Sequence, residues 1–312
     1  MVKLPLHWSK INEIGSMWGI KIMLVIHSVF GRWGFRVFLY PVIVYYYVGQ
    51  TSARRASNEY LQRLQPFIKL KQFRKLSTFK HFLMFGEVLI DKFLVWMNKI
   101  RLEDVVFETP RTIKRIDESK TGGVIVVSHL GNMEVCSALV QQLPDLKLTI
   151  LGFTQHAVKF NALMNTASDT SSIELLQVTD MTPEVAIRLS ERINGGGYII
   201  IAGDRTPVTG NERVSNVSFL GERAPLPQGA FILAGLLKCP IYFMFCLKEH
   251  SRYHIYLELF SERLRFSRKE RHSEVTSAVQ LYARRLEYYC IKAPLQWFNF
   301  FSFWHAPISK EE

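Results

Sequence analysis

In the stretch GVIVVSHLGNMEV, residues 123–135, apolar and small residues lead straight into Ser128-His129, and Glu134 follows five positions after the histidine. An imidazole titrates near neutral pH, and a carboxylate on one of its nitrogens leaves the other free to take a proton. Five residues apart on a continuous helix, the two side chains would diverge by about 140°. With His129 on the turn before a helix and Glu134 in or near its first turn, the carboxylate can fold back to the ring. It would then fix the tautomer and stabilise the imidazolium. Ser128 would point the opposite way along a strand. No G-x-S-x-G elbow is present, so the hydroxyl that such a base deprotonates belongs to a substrate. The same spacing also suits a plain structural role, a carboxylate at a helix N-terminus beside a satisfied histidine.

The surrounding chain must hold such a pair in place. Short apolar runs alternate with helical stretches from residue 123 onward. The pattern predicts strand 123–128, helix 132–143, strand 147–153, helix 156–166, strand 173–178, helix 182–194 and strand 198–203. A polar loop 204–218, helix 227–237, strands 240–247 and 253–260 and helix 272–291 complete it. Continuous apolar runs such as VIVVS and YIIIAG suit strands covered on both faces. The expected fold class is therefore α/β, with a central mostly parallel or mixed sheet flanked by helices. Thr182-Pro183-Glu184 reads as a helix start and Asn194-Gly195 as its stop.

Two domains are expected: residues 1–52 as membrane-anchoring or interfacial helices, and 53–312 as the α/β domain. Residues 16–48 are heavily apolar but interrupted by Lys21, Arg32 and Arg36. The charge-free run 37–53 contains Pro41 and falls short of the roughly 20 apolar residues of a spanning helix. A short span, a re-entrant hairpin, an interfacial helix and a buried helix pair all remain open. Eight Lys and Arg follow between Arg54 and Lys80, against the single acid Glu59. Basic residues beside an apolar anchor favour the cytoplasmic side and anionic lipid. An amphipathic helix is expected over 80–101. The chain carries a net charge of +12 with His neutral. Its aromatic content and the lack of a zinc-finger, RNP or P-loop pattern favour a lipid or an acidic protein over nucleic acid as partner. The four cysteines, at 136, 239, 246 and 290, form no CxxC pair, which argues against structural zinc and suits a reducing compartment.

A histidine, four residues and an acid after an apolar strand resembles the signature of the lysophospholipid acyltransferase superfamily. SHLGNMEV at 128–135, IIIAGDRTPV at 199–208, SFLGERAPLPQGAFILAGLLKCPIYFMFC at 218–246 and APLQWFNFFSFW at 293–304 together look closest to its LpxL/HtrB-like lipid A branch. Within that branch the chain is similar to the predicted acyltransferases associated with aryl polyene and related lipids. The resemblance implies a bacterial enzyme on the cytoplasmic face of the inner membrane. It would move an acyl group from a thioester, on acyl carrier protein or coenzyme A, to a hydroxyl of a lipid or glycolipid, with no metal or other cofactor. It implies His129 as general base and Glu134 as the residue that orients it. Asp204 and Arg205 would line the site, with Arg205 holding a phosphate or an oxyanion. Lys159 and Asn161 would supply a further substrate-binding pair. Gly221 and Gly229, in FLG and PQG, would shape the acyl pocket. Lys159 where an Arg is expected, and Asp204-Arg205 where the branch reads Asp-Gln, depart from the lipid A enzymes. Two other readings fit the same residues: a thioesterase or lipid hydrolase whose dyad activates water, and a non-catalytic membrane-binding relative.

Overall fold

The computed structural model describes residues 17–96, 99–100, 102–119, 121–136, 146–152, 173–177, 182–206 and 213–305. Four helices come first: α1 (Met17–Gly49), α2 (Thr51–Leu64), α3 (Leu70–Phe73) and α4 (Thr78–Trp96). Strand β1 (Val105–Phe107), helix α5 (Pro110–Glu118) and strands β2 (Gly123–Val127), β3 (Leu148–Gly152) and β4 (Ile173–Gln177) follow. Then come α6 (Pro183–Asn194), β5 (Tyr198–Ala202), β6 (Val214–Phe219), β7 (Glu222–Pro227), α7 (Gly229–Leu237), β8 (Ile241–Glu249), β9 (Arg252–Ser261) and α8 (Arg271–Lys292).

Seven strands form one mixed sheet in the order β1-β9-β8-β2-β5-β3-β4. Strands β8, β2, β5, β3 and β4 are parallel, while β9 runs antiparallel to β8 and carries β1 parallel to itself. All five residues of β2 are buried, as its unbroken apolar run requires of a central strand. Side chains alternate across the sheet. Val124 and Val126 join a core with α2, α6, α7 and α8, whereas Ile125 and Val127 join a second core with α1, α4 and α5. Each such side chain contributes about 1.5–3 kcal/mol by leaving water. The molecule is thus an α/β fold with helices on both faces of the sheet.

Several local expectations are corrected. The hairpin β6–β7 takes up the end of the segment read as a polar loop, 204–218, and the unassigned residues that follow, up to the start of the predicted helix at 227. Its hydrophobic alternation is real, with Ser215, Val217 and Phe219 buried in turn. The two-residue link is Leu220-Gly221, both at positive φ (+52° and +81°), which matches the twist of a tight hairpin. Leu220 tolerates this because it is buried and its N–H donates to the Glu287 carboxylate at 2.5 Å. Strand β1 and helix α5 were not expected; β1 is a three-residue edge strand, and α5 is polar on most of its surface. The described part of the predicted helix 132–143 is a 3-10 turn, Met133–Cys136. The predicted helix 156–166 lies outside the described residues. The helix expected over 80–101 spans Thr78–Trp96.

At the N-terminus, α1 bends at Gly31, which has φ +65°, and contains Pro41. Phe35, Leu39 and Ile43, spaced four apart, pack into the same core as Ile125 and Val127. Arg36 clasps Glu87 of α4 through Nε and Nη2, which donate to its two carboxylate oxygens. No helix among the described residues is long and apolar enough to cross a membrane.

Candidate active site

Strands β2 and β5 are adjacent, parallel and in register from Gly123↔Tyr198 to Val127↔Ala202. The pairing continues one step further, with the Gly203 N–H donating to the Val127 carbonyl at 2.8 Å. His129 and Asp204 each lie two residues past the end of their strand, so the register brings them side by side. Alternation turns both toward the same side of the sheet, as Ile125, Val127 and Ile200 do. They stand at the carboxyl ends of parallel strands, the usual place for ligands in α/β sheets.

Asp204 holds His129 at two points. Its Oδ1 meets His129 Nδ1 at 2.8 Å and its Oδ2 accepts the His129 backbone N–H at 2.7 Å. A second donor reaches Oδ2, the indole N–H of Trp297, at 3.0 Å. Asp204 is buried, while the His129 side chain keeps 34% of its surface open. With Nδ1–H donating to the carboxylate, Nε2 carries the lone pair. Burial lowers the His129 pKa, and the Arg205 and Lys92 charges lower it further against the opposing pull of Asp204. These influences favour the neutral ring over the imidazolium. Burial pushes the Asp204 carboxyl up, but His129, the Trp297 N–H and Arg205 outweigh it and hold the group below the ordinary aspartate value. The pair is an imidazole with one protected and one available nitrogen, backed by an ionised carboxylate.

The expected contact between Glu134 and the His129 ring is corrected. The carboxylate on Nδ1 belongs to Asp204, and Glu134 forms an ion pair with Lys92 of α4. The cause is the turn between them. Gly131 has φ +76°, and a Cβ there would stand 1.7 Å from the Cys246 carbonyl oxygen, so the chain presses against β8 at this point. Asn132 then donates its backbone N–H to the same Cys246 carbonyl, and its side chain caps the turn by accepting the Glu134 N–H at 3.2 Å. This route carries Glu134 toward α4 rather than back to the imidazole. Its ammonium partner still acts on His129 through space.

The other expected residues are spread out. Arg205 follows Asp204 and lies over the Phe301 ring at 5.6 Å, beside the pair. Gly221 forms the tip of the β6–β7 hairpin, next to Phe67. Gly229 opens α7, its Cα facing Ile201 of β5. Both are placed by backbone geometry, away from any polar contact with His129. Lys159 and Asn161 lie outside the described residues. Among the described residues no group of three or more His, Cys, Asp or Glu is arranged to hold a metal ion.

Three residues join the site without having been expected there: Trp297, His81 and Lys92. Trp297 is fully buried among Tyr60, Phe219, Phe303 and Trp304, with ring centroids 5.0–6.1 Å away. Its carbonyl lies 2.9 Å from His81 Nε2, and His81 Nδ1 lies 2.9 Å from the Ser57 hydroxyl. The segment that carries it also pairs with the His129 loop, through the Leu130↔Trp297 bridge and the Phe298 N–H to the His129 carbonyl. QWFNFFSFW reads in sequence as packing, or as aromatics lining the membrane-facing mouth of an acyl site, and neither reading singles out Trp297; its buried indole N–H has to find an acceptor, and Asp204 supplies it.

No protein-family model and no curated protein matches this chain.

Proposed function

We propose that the chain is an acyltransferase with His129 as general base and Asp204 as the carboxylate that orients it. The observation that carries this reading is the His129–Asp204 pair itself. An imidazole, bonded through Nδ1 to a buried carboxylate, stands partly open at the rim of a parallel sheet. Such a base serves a substrate hydroxyl, because no serine among the described residues is placed as its nucleophile: the Ser128 hydroxyl is buried, and strand alternation puts it on the side opposite His129.

In the proposed reaction, His129 Nε2 takes the proton of the acceptor hydroxyl as its oxygen attacks the carbonyl carbon of an acyl thioester. The new C–O bond forms, the C–S bond breaks, and the imidazolium returns the proton to the departing sulfur. Asp204 stabilises the imidazolium between these steps. Arg205, whose charge reaches both members of the pair, is placed to meet the negative charge that builds on the carbonyl oxygen or a phosphate of the substrate.

A lipid acceptor is supported by the surface. On α1, Ile22, Val25 and Val29 before the Gly31 bend, and Trp33, Val37, Tyr40, Val44 and Val48 after it, are exposed, at spacings of three and four within each half. They line α1 as an apolar stripe, and those after the bend lie opposite the buried Phe35, Leu39 and Ile43. An apolar face of this extent marks an interaction surface, and the exposed Lys69, Lys71, Arg74, Lys75 and Lys80, further along the chain, suit an anionic bilayer. We place the chain at the cytoplasmic face of a membrane on this basis, with an acidic acyl carrier protein as the favoured donor.

The test uses purified protein, vesicles of defined lipid and a radiolabelled acyl thioester on carrier protein or on coenzyme A. Acyl transfer to lipid that vanishes in His129→Ala is the expected result. Free fatty acid with no acylated lipid would instead establish a hydrolase, and no turnover of either donor would remove the enzymatic reading.

A further inference from the structure

We propose that Trp297 is a positioning residue for the His129–Asp204 pair: its indole N–H fixes the rotation of the Asp204 carboxylate, and His81 fixes Trp297. The inference rests on the acyl-transfer reading for its rate readout alone.

A carboxylate turns readily about its Cβ–Cγ bond, and only one orientation presents Oδ1 to the His129 ring and Oδ2 to the His129 backbone. The two donors on Oδ2 arrive from different parts of the chain, His129 N–H at 2.7 Å and Trp297 Nε1–H at 3.0 Å. Together they oppose that rotation. An indole can only donate, so it cannot draw the proton from the imidazole as a second acid or base would. The ring cannot swing away, because Tyr60 of α2, Phe219 of β6, Phe303 and Trp304 enclose it.

The backbone of Trp297 is held from the other side. A carbonyl only accepts, so His81 must carry its proton on Nε2 and donate it to Trp297, while Nδ1 accepts from the Ser57 hydroxyl. Ser57 and His81 are both fully buried. Both links therefore run the same way, with Ser57 donating to His81 and His81 to the Trp297 carbonyl. The groups that bear on His129 are Asp204 and Arg205 after β5 and Lys92 on α4, the last paired with Glu134. Tyr282 and Cys290 of α8 lie within electrostatic reach of Asp204.

The test replaces Trp297 with benzothienylalanine, which has sulfur where the indole has N–H, alongside Trp297→Phe. The ring nitrogens of His129 are followed by NMR through a pH titration, and acyl transfer is measured over the same range. Loss of the donor leaves the carboxylate charge concentrated on His129, which favours the imidazolium. The midpoint is expected to rise by about half to one pH unit. We expect kcat to fall about tenfold with KM little changed, as for an interaction that matters in the transition state. Leu189→Ala removes buried packing on α6 without touching Trp297 and is expected to lower thermal stability while leaving the midpoint in place. The proposal fails if both replacements at 297 titrate like the parent, or if Leu189→Ala moves the midpoint as far as they do. The isosteric analogue decides the matter if Trp297→Phe does not fold. The NMR titration stands even if no donor is turned over, so failure of the acyltransferase reading and failure of this one give different results.

Discussion

At the scale of single residues, the two carboxylates near His129 are not equivalent. Asp204 is buried and bonded to Nδ1; Glu134 is partly open and bonded to Lys92. Asp204→Asn would put an amide against the ring and disturb the tautomer, so kcat should fall by about 10²- to 10⁴-fold. Glu134→Gln should change kcat by no more than a few fold. Steady-state rates of the two variants decide between them, and the reverse order would return the role to Glu134. Arg205 gives a second test. Its charge lowers the His129 pKa, so Arg205→Met should let that pKa rise and move the acid limb of kcat/KM to higher pH. An unmoved limb would place the guanidinium too far off to matter. His129 was legible in sequence because a polar residue closes an apolar run. Its partner was not, because proximity along the chain pointed to Glu134. The usable signal was a parallel one: in GVIVVSH and YIIIAGD the polar residue stands at the same offset from the strand start.

At the scale of elements, buried polar contacts pin the N-terminal helices to the sheet. His81 joins α4 to α2 and to the Trp297 segment, and burial lowers its pKa from 6.5 to about 4. Above pH 6.5 the ring is neutral folded or unfolded, and its contribution is fully present. As pH falls from 6.5 toward 4 the unfolded chain binds the proton first, so stability declines, by about 3 kcal/mol in all, and then levels off. His81→Gln keeps a donor and an acceptor but does not titrate. Urea unfolding at pH 7.5 and 4.5 should show a smaller acid loss in the variant, and equal losses would mean the ring is not the titrating group. A second clamp joins α4 to β8 and β9: Asp91 is buried against Lys248, and the Tyr253 hydroxyl donates to it at 2.5 Å. Lys248→Met would strip a buried carboxylate of this cation and should cost about 3–5 kcal/mol, against under about 1 kcal/mol for Arg36→Ala, an ion pair that is 61% exposed on its Arg side. Denaturant midpoints measure both. Long apolar runs made β2, β5 and β8 readable in sequence, since nothing but a two-sided core suits them. The hairpin β6–β7 escaped because its alternating Ser, Asn and Val resemble a polar loop until Leu220-Gly221 is recognised as its turn.

At the scale of the whole molecule, charge and apolar surface act over different distances, and salt separates them. The net charge of +12 draws the protein toward any anionic surface, but this attraction fades once the screening length drops below about 10 Å. The stripe on α1, with Trp33 79% exposed near its centre, acts only on contact and is insensitive to salt. If the proposed membrane reading holds, binding to vesicles rich in anionic lipid has two stages: charge raises the local concentration, and the stripe then enters the interface. Parent protein should stay partly bound at 0.5 M salt, whereas a variant with Val29, Trp33 and Val37 changed to Ser should bind at low salt and detach completely at high salt. Reversing Lys69, Lys71, Arg74 and Lys75 to Glu should do the opposite, weakening capture at low salt and sparing the salt-resistant fraction. Co-sedimentation over a salt series reads out both. The three stripe residues face outward, so their loss should leave the denaturant midpoint within about 0.5 kcal/mol of the parent, which guards against unfolding as the cause. Should the stripe variant keep its salt-resistant binding, α1 does not meet lipid through this face, and another apolar surface of the molecule would have to carry the contact.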